Sequence, residues 1–162
     1  MKTHNAETYG TNILNAIIGK RFDYPKSLYA VHDVIRFFVA NKPNAIIVDF
    51  FSGSGTTLHA VNLLNAEDGG HRRCIMVTNN EVSADEAKML KDKGYQPGDA
   101  EWEKLGIAHY VTWPRTVCSI KGQDVNGNPL KGDYLGSEPP MHMADGFKAN
   151  AAFFKLGFLD PT

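Results

Sequence analysis

Apolar positions first recur at helical spacing between Ser27 and Ala40, where Leu28, Val31, Val34, Ile35 and Phe38 mark one face of a predicted helix. Pro25 and an N-cap at Ser27 set its start, and Asn41-Lys42-Pro43-Asn44 ends it. The pattern then changes from a period to a run. Ala45-Ile46-Ile47-Val48-Asp49-Phe50-Phe51 is continuous, apolar and β-branched, which predicts a fully buried strand of the kind found inside parallel sheets. It passes directly into Ser52-Gly53-Ser54-Gly55-Thr56-Thr57. Leu58, Val61, Leu63 and Leu64 predict a second helix ending before Gly69-Gly70, and Cys74 to Thr78 a second strand. Glu81 to Lys93 reads as a polar-faced helix stopped by Gly94. Strand, glycine turn, helix, strand is a βαβ unit, whose right-handed crossover implies a parallel sheet.

Outside this unit the pattern is weaker. Residues 1–25 are polar and read as an arm or loop with one short helix. Trp102 to Ile120 predicts a helix followed by a strand. Asn126-Gly127, within Lys121 to Tyr134, is a strong hairpin-turn signal. The paired and alternating aromatics of Phe147 to Leu159 predict another strand. There are no internal repeats and no low-complexity tract, so one domain is expected.

Composition narrows the classes. With 162 residues, 43% apolar and 22% charged, the chain is long enough for a core and ordinary for a globular protein. No run approaches the roughly 20 apolar residues of a membrane span, and Met1 to Gly10 has no apolar signal region, so the expected compartment is the cytoplasm with no membrane partner. Cys74 and Cys118 do not make a disulfide framework and are expected to be buried thiols. Net charge is −1. A self-sufficient DNA binder carries a basic excess, because phosphate neutralisation supplies much of its affinity. Most of any grip on DNA would therefore lie outside this chain. The six histidines form no H-x-x-x-H or H-x-H pair and the cysteines are far apart, so no metal site is expected.

The Ser52–Thr57 turn carries the chemistry. A strand that ends in Gly-x-Gly and opens a helix lets backbone approach a ligand at the strand's carboxyl end, with helix amides pointing at it. A phosphate-binding loop needs a lysine after the second glycine, where Thr56 stands. A dinucleotide fingerprint needs a third glycine, where Leu58 stands, which disfavours a nicotinamide or flavin site without closing it. A third reading is S-adenosylmethionine, which has no phosphates but needs an acidic residue after the second strand for its ribose. Glu81 is placed for that, and equally for the first turn of the next helix, where the dipole favours it.

Together these residues resemble the amino-methylating DNA methyltransferases. Asp49 to Thr57 is similar to their cofactor motif D-x-F-x-G-x-G-T, and Phe22-Asp23-Tyr24-Pro25-Lys26-Ser27 to the F-x-x-P-K-P segment that precedes it in circularly ordered members. Ser27 departs mildly from the usual proline. Gly106 to Thr116, Asp145 to Asn150 and Phe158 to Pro161 are softer matches to type III restriction–modification methylase subunits. The resemblance implies an α/β fold, a Rossmann-like S-adenosylmethionine-dependent methyltransferase sheet that is incomplete here. It divides the chain into an N-terminal arm (1–21), an S-adenosylmethionine-binding core (22–120) and a hairpin with a C-terminal strand (121–162). It implies that Asp49 and Phe51 line the methionine and sulfonium region, and that Gly53 and Gly55 admit the backbone to it. Thr56 and Thr57 would bond the carboxylate, Glu81 the ribose, and Phe22, Pro25 and Lys26 would wall the methionine group. The family's catalytic motif, [DNS]-P-P-[YFW], is missing. Glu138-Pro139-Pro140-Met141 and Asp160-Pro161-Thr162 do not supply it, so no catalytic residue is assigned. The implied function is the cofactor part of a DNA-adenine methyltransferase, inactive alone and reaching DNA through a missing N-terminal half or a partner subunit. A non-catalytic remnant is the alternative, and an oxidoreductase domain the more distant one. An unpaired edge of the first strand would then make the chain dimerise or cover that edge with its N-terminal arm.

Overall fold

A computed structural model of the chain describes residues 2–157. The protein is α/β, with the βαβ unit at its centre. β1 (Ile46–Asp49) pairs in parallel with β2 (Arg73–Met76), Val48 opposite Ile75 and Asp49 opposite Met76. Between them α3 (Thr56–Asp68) runs back along one face, beginning at Gly55 and ending at Gly69, both left-handed.

Both strands are shorter and less buried than their sequences predict. Ile47 and Cys74 pack against the core, whereas Ile46, Val48 and Ile75 on the opposite face are about half exposed. A strand reads as a continuous apolar run because both its faces are to be covered. Here α3 covers one face only, and among the described residues neither strand has a further strand neighbour.

The helix α2 (Leu28–Val39) forms where periodicity places it. Ser27 caps it by accepting from the Ala30 amide and donates its own hydroxyl proton to the Thr3 carbonyl. Its rotation differs from the predicted face. Leu28, Tyr29, His32 and Ile35 are buried, while Val34 and Phe38 are exposed. The cause is polar: His32 Nε2 lies 2.8 Å from Glu67 of α3 and Nδ1 3.2 Å from Asp33, so the histidine edge faces α3.

The N-terminal region is more than an arm. A π-helical turn (Glu7–Thr11) leads into α1 (Asn12–Ile18), whose Leu14, Ile17 and Ile18 are among the most buried side chains. α1 packs against a later helix and the π turn against α2, while His4 and Ala6 border the same cleft as Val48 and Asp49 of β1.

After β2, α4 (Ala84–Asp92) starts at a Ser83 cap and α5 (Ala100–Glu103) follows. The strand expected toward Ile120 is helix instead: a π turn (Ala108–Thr112) continues into α6 (Trp113–Lys121). Val111, Arg115, Cys118 and Ser119 are buried at helical spacing, and Pro114 sits at the junction of the π turn with α6, where the Tyr110 carbonyl four residues back accepts from Arg21. The Asn126-Gly127 turn forms, with Asp124 accepting from the Asn126 and Asn128 amides. A two-residue antiparallel pair, β3 (Asp133–Tyr134) with β4 (Met141–His142), follows it. The strand expected from Phe147 does not form within residues 147–157, which run without a ladder partner; Phe158 to Thr162 lie outside the described residues. Phe147 is buried against Tyr134 and His59, and Phe153 leans on His109 and Trp113. The core joins α1, α2, α3 and α6 with Leu130, Tyr134, Met143 and Phe147.

Candidate functional site

The turn between β1 and α3 is built by two glycines. Gly53 has φ +50 and Gly55 φ +76, conformations that a side chain rarely adopts, and a Cβ on Gly55 would lie 3.2 Å from Thr112 Cγ2. Gly55 brings no side-chain cap, so the first amides of α3 lack the carboxylate or hydroxyl acceptor that usually closes a helix start.

Asp49 ties the strand to the helix. Its carboxylate accepts from the Thr57 hydroxyl at 2.6 Å and from the Phe51 amide at 3.2 Å. Asp49 and Thr57, with Lys26, Ser27, Val31, Val34 and Val48, border a cleft of about 620 Å³ between β1 and the start of α2. That volume is within the ~300–1,000 Å³ of ligand clefts. Asp49, Lys26, His4 and the start of α3 at Thr57 border it, and the remaining wall is largely apolar.

Of the ten residues implied by the resemblance, Lys26, Asp49 and Thr57 border this cleft, next to the turn that Gly53 and Gly55 shape. Phe51 follows directly but is 93% exposed, facing away from the core. Glu81 is exposed on the loop after β2, and its carbonyl accepts from the Ile107 amide at 2.8 Å. Pro25 is fully buried and Phe22 packs against the core; neither borders the cleft. The Thr56 side chain is buried beneath the turn, and its hydroxyl accepts from Arg115.

Several residues that sequence reading passed over support the turn from below. Arg115, 1% exposed, donates from one terminal nitrogen to Thr56 Oγ1 at 2.8 Å, Ser54 Oγ at 3.1 Å and the Ser54 carbonyl at 3.3 Å. Its other terminal nitrogen lies 3.4 Å from His59 Nδ1. A guanidinium only donates, so Nδ1 accepts and the Nε2 proton of His59 goes to the Tyr134 oxygen, 2.8 Å away. Burial, with Arg115 beside it, holds His59 well below the ordinary histidine range, and burial brings Arg115 down to about 10. Thr112 donates to the Gly53 carbonyl. Asn80 fastens the loop after β2, donating to Glu103 and accepting from the Ala108 and His109 amides. The signal for Arg115 was present: a charge within the stripe that Val111, Cys118 and Ser119 define.

A parallel βαβ unit with a glycine turn beside a cleft at the strand's carboxyl end is the arrangement in which open α/β sheets commonly hold small ligands. Comparison with known proteins carries this to a family. The sequence profile of the DNA methylases, the N6- and N4-type methyltransferases, matches residues 2–116, and the chain belongs to that family. It is 45% identical over 71 residues to the type II methyltransferase M.KpnI of Klebsiella pneumoniae, covering 43% of this chain and 16% of that protein. It is 34% identical over 79 residues to the EcoPI Mod subunit, a type III restriction-modification enzyme of Escherichia phage P1, covering 49% of this chain and 12% of that subunit. Against the StyLTI Mod subunit of Salmonella typhimurium it is 38% identical over 78 residues, covering 48% and 12%. The matched stretch is thus a small part of each relative's length.

Proposed function

We propose that this chain is the S-adenosylmethionine-binding portion of a DNA methyltransferase that acts on the exocyclic amine of adenine within a restriction–modification system, on a Rossmann-like sheet. The observation that carries the reading is the Asp49–Thr57 bond at the mouth of the cleft, which fixes the glycine turn and the uncapped start of α3 together. Family membership supplies the chemistry: S-adenosylmethionine is the methyl donor of such enzymes, and when bound it presents an electrophilic methyl group to the amine. The residues of this chain bind and orient. Asp49 takes the ammonium of the methionine end, Lys26 and the α3 amides beside Thr57 take its carboxylate, and Glu81 takes the ribose hydroxyls. Thr56 shapes the turn from within through Arg115. Phe51, exposed beside the turn, lies along the methionine and sulfonium, with Phe22 and Pro25 supporting Lys26 from behind.

The sequence has no [DNS]-P-P-[YFW], so the group that receives the target amine comes from elsewhere in a longer polypeptide or from a partner subunit. The same half brings the DNA contacts that a net charge of −1 does not. The half-exposed apolar face of β1 and β2 favours such an association.

Isothermal titration with S-adenosylmethionine tests the reading, with Gly55→Val and Asp49→Ala in parallel. Binding by the parent chain that both substitutions abolish, with no methyl transfer to DNA by the chain alone, is the expected result. A folded parent chain that takes up no cofactor would make it a remnant that keeps only the fold.

A further inference from the structure

Arg115 is a buried cation with no counter-ion among the described residues. Among the described residues no carboxylate lies within salt-bridge distance of it, and its hydrogen-bond partners are neutral: Ser54, Thr56 and His59. Its Nε is buried with no partner at all. The other buried arginine shows the ordinary solution, since Arg72 donates to both oxygens of Asp68, each at 2.9 Å. An uncompensated buried charge is costly, and an opposite charge normally accompanies it. Three further facts converge on the same spot. Arg115 donates into the turn and first residue of α3; α3 starts there without a side-chain cap; and the Ser52 hydroxyl in that turn is buried and unpartnered.

We propose that Arg115 is a positioning residue for ligand charge: its buried guanidinium makes the start of α3 electropositive, so that the site selects a cofactor bearing a carboxylate. It acts through Ser54 and Thr56 and does not touch the ligand. The field reaches the turn through a low-dielectric interior and adds to the helix dipole, so it is little screened by salt. The inference rests on the cofactor reading above and deepens it.

The test is a comparison of two ligands on the full chain. S-adenosylhomocysteine carries the carboxylate; its decarboxylated analogue keeps the amine and the nucleoside. Titration calorimetry is run with the parent chain, Arg115→Met and Arg115→Lys, each checked for folding by circular dichroism. The parent is expected to prefer the carboxylate ligand by about tenfold or more, the usual scale for an interaction with a charged group. Arg115→Met is expected to weaken that preference several-fold with little change for the analogue, what remains being due to Lys26 and the α3 amides, and Arg115→Lys is expected to weaken it less. If Arg115→Met does not fold, the parent's preference and its partial retention in Arg115→Lys carry the test. Equal affinity of the parent for the two ligands, or a preference that Arg115→Met leaves unchanged, overturns the role of Arg115 and leaves the cofactor reading standing. Binding of neither ligand by the folded parent overturns both. Loss of affinity for both ligands alike in Arg115→Met assigns the residue to structure and overturns the proposal.

Discussion

At the scale of single residues, the turn depends on two conformations that only glycine adopts easily. Gly55→Val puts a β-branched side chain at φ +76 and against Thr112, so it is expected to destabilise the chain by about 2 kcal/mol or more, read from urea unfolding. The histidines oppose each other in their dependence on pH. For His32, burial disfavours the charge, but Glu67 and Asp33 outweigh it and raise its pKa. The folded protein then binds the His32 proton more readily than the unfolded chain. Its stabilisation is complete below about pH 6.5, the unfolded value, and is lost as pH rises through the raised folded value. His59 has the opposite sign: lowered by burial and by Arg115, it stays neutral when the unfolded chain takes up its proton, so stability falls below about pH 6.5. Melting temperatures followed as pH falls from mildly alkaline to about 6.5 are therefore expected to gain less in His32→Gln than in the parent, the curves running parallel below that. A pair of curves parallel throughout would remove His32 from this account. Cys74, pushed up to about 12 by burial and by Asp49, is expected to react slowly with alkylating reagents at neutral pH until the chain is unfolded.

At the scale of elements, the legible parts were those whose signal is local. The α2 start was readable from Ser27, and its side chain does cap the helix. Ser27→Ala is expected to cost about 1 kcal/mol by chemical denaturation, since the cap and the bond to the Thr3 carbonyl are lost together. The order strand, glycine turn, helix, strand was equally readable, because Gly53 and Gly55 punctuate a run of β-branched residues. What failed was decided by partners remote in sequence. Val34 and Phe38 share a period with Leu28 and Ile35, but the pairing of His32 with Glu67, across 35 positions, chose another face. The stretch before Ile120 has strand-prone Val111 and Thr112, yet a helix there buries Arg115 under the turn. Residues 147–157 have strand composition but, among the described residues, no neighbouring ladder to join. Around the cleft, Asp49, Thr57 and Lys26 were named from a motif; Arg115, Asn80 and Thr112 were not, because their contacts reach across 23 to 61 positions.

At the scale of the molecule, apolar side chains are exposed on one face of β1 and β2, at Phe50 after β1 and at Phe37 and Phe38 on α2. Apolar surface of this kind is uncommon on an isolated monomer. The purified chain is expected to associate with rising concentration in light-scattering measurements. Val48→Lys, placed on that face, is expected to reduce the association without changing the circular dichroism spectrum. A strictly monomeric parent at high concentration would show that the face tolerates water.

The His59–Tyr134 bond links regions that the family comparison separates. The matched stretch ends at residue 116, whereas Tyr134 and Phe147, which hold the His59 ring, come after it. At Gly146 there is no room for a Cβ beside the Ile120 carbonyl oxygen, and the Phe147 amide donates to that same oxygen at 2.9 Å. The smallest piece able to fold alone therefore extends to about Phe147, and a recombinant fragment trimmed at the family boundary would leave His59 facing solvent and Arg115 without its lateral support. Limited proteolysis should yield a resistant core ending beyond Phe147, while a version stopped at 116 should be digested throughout.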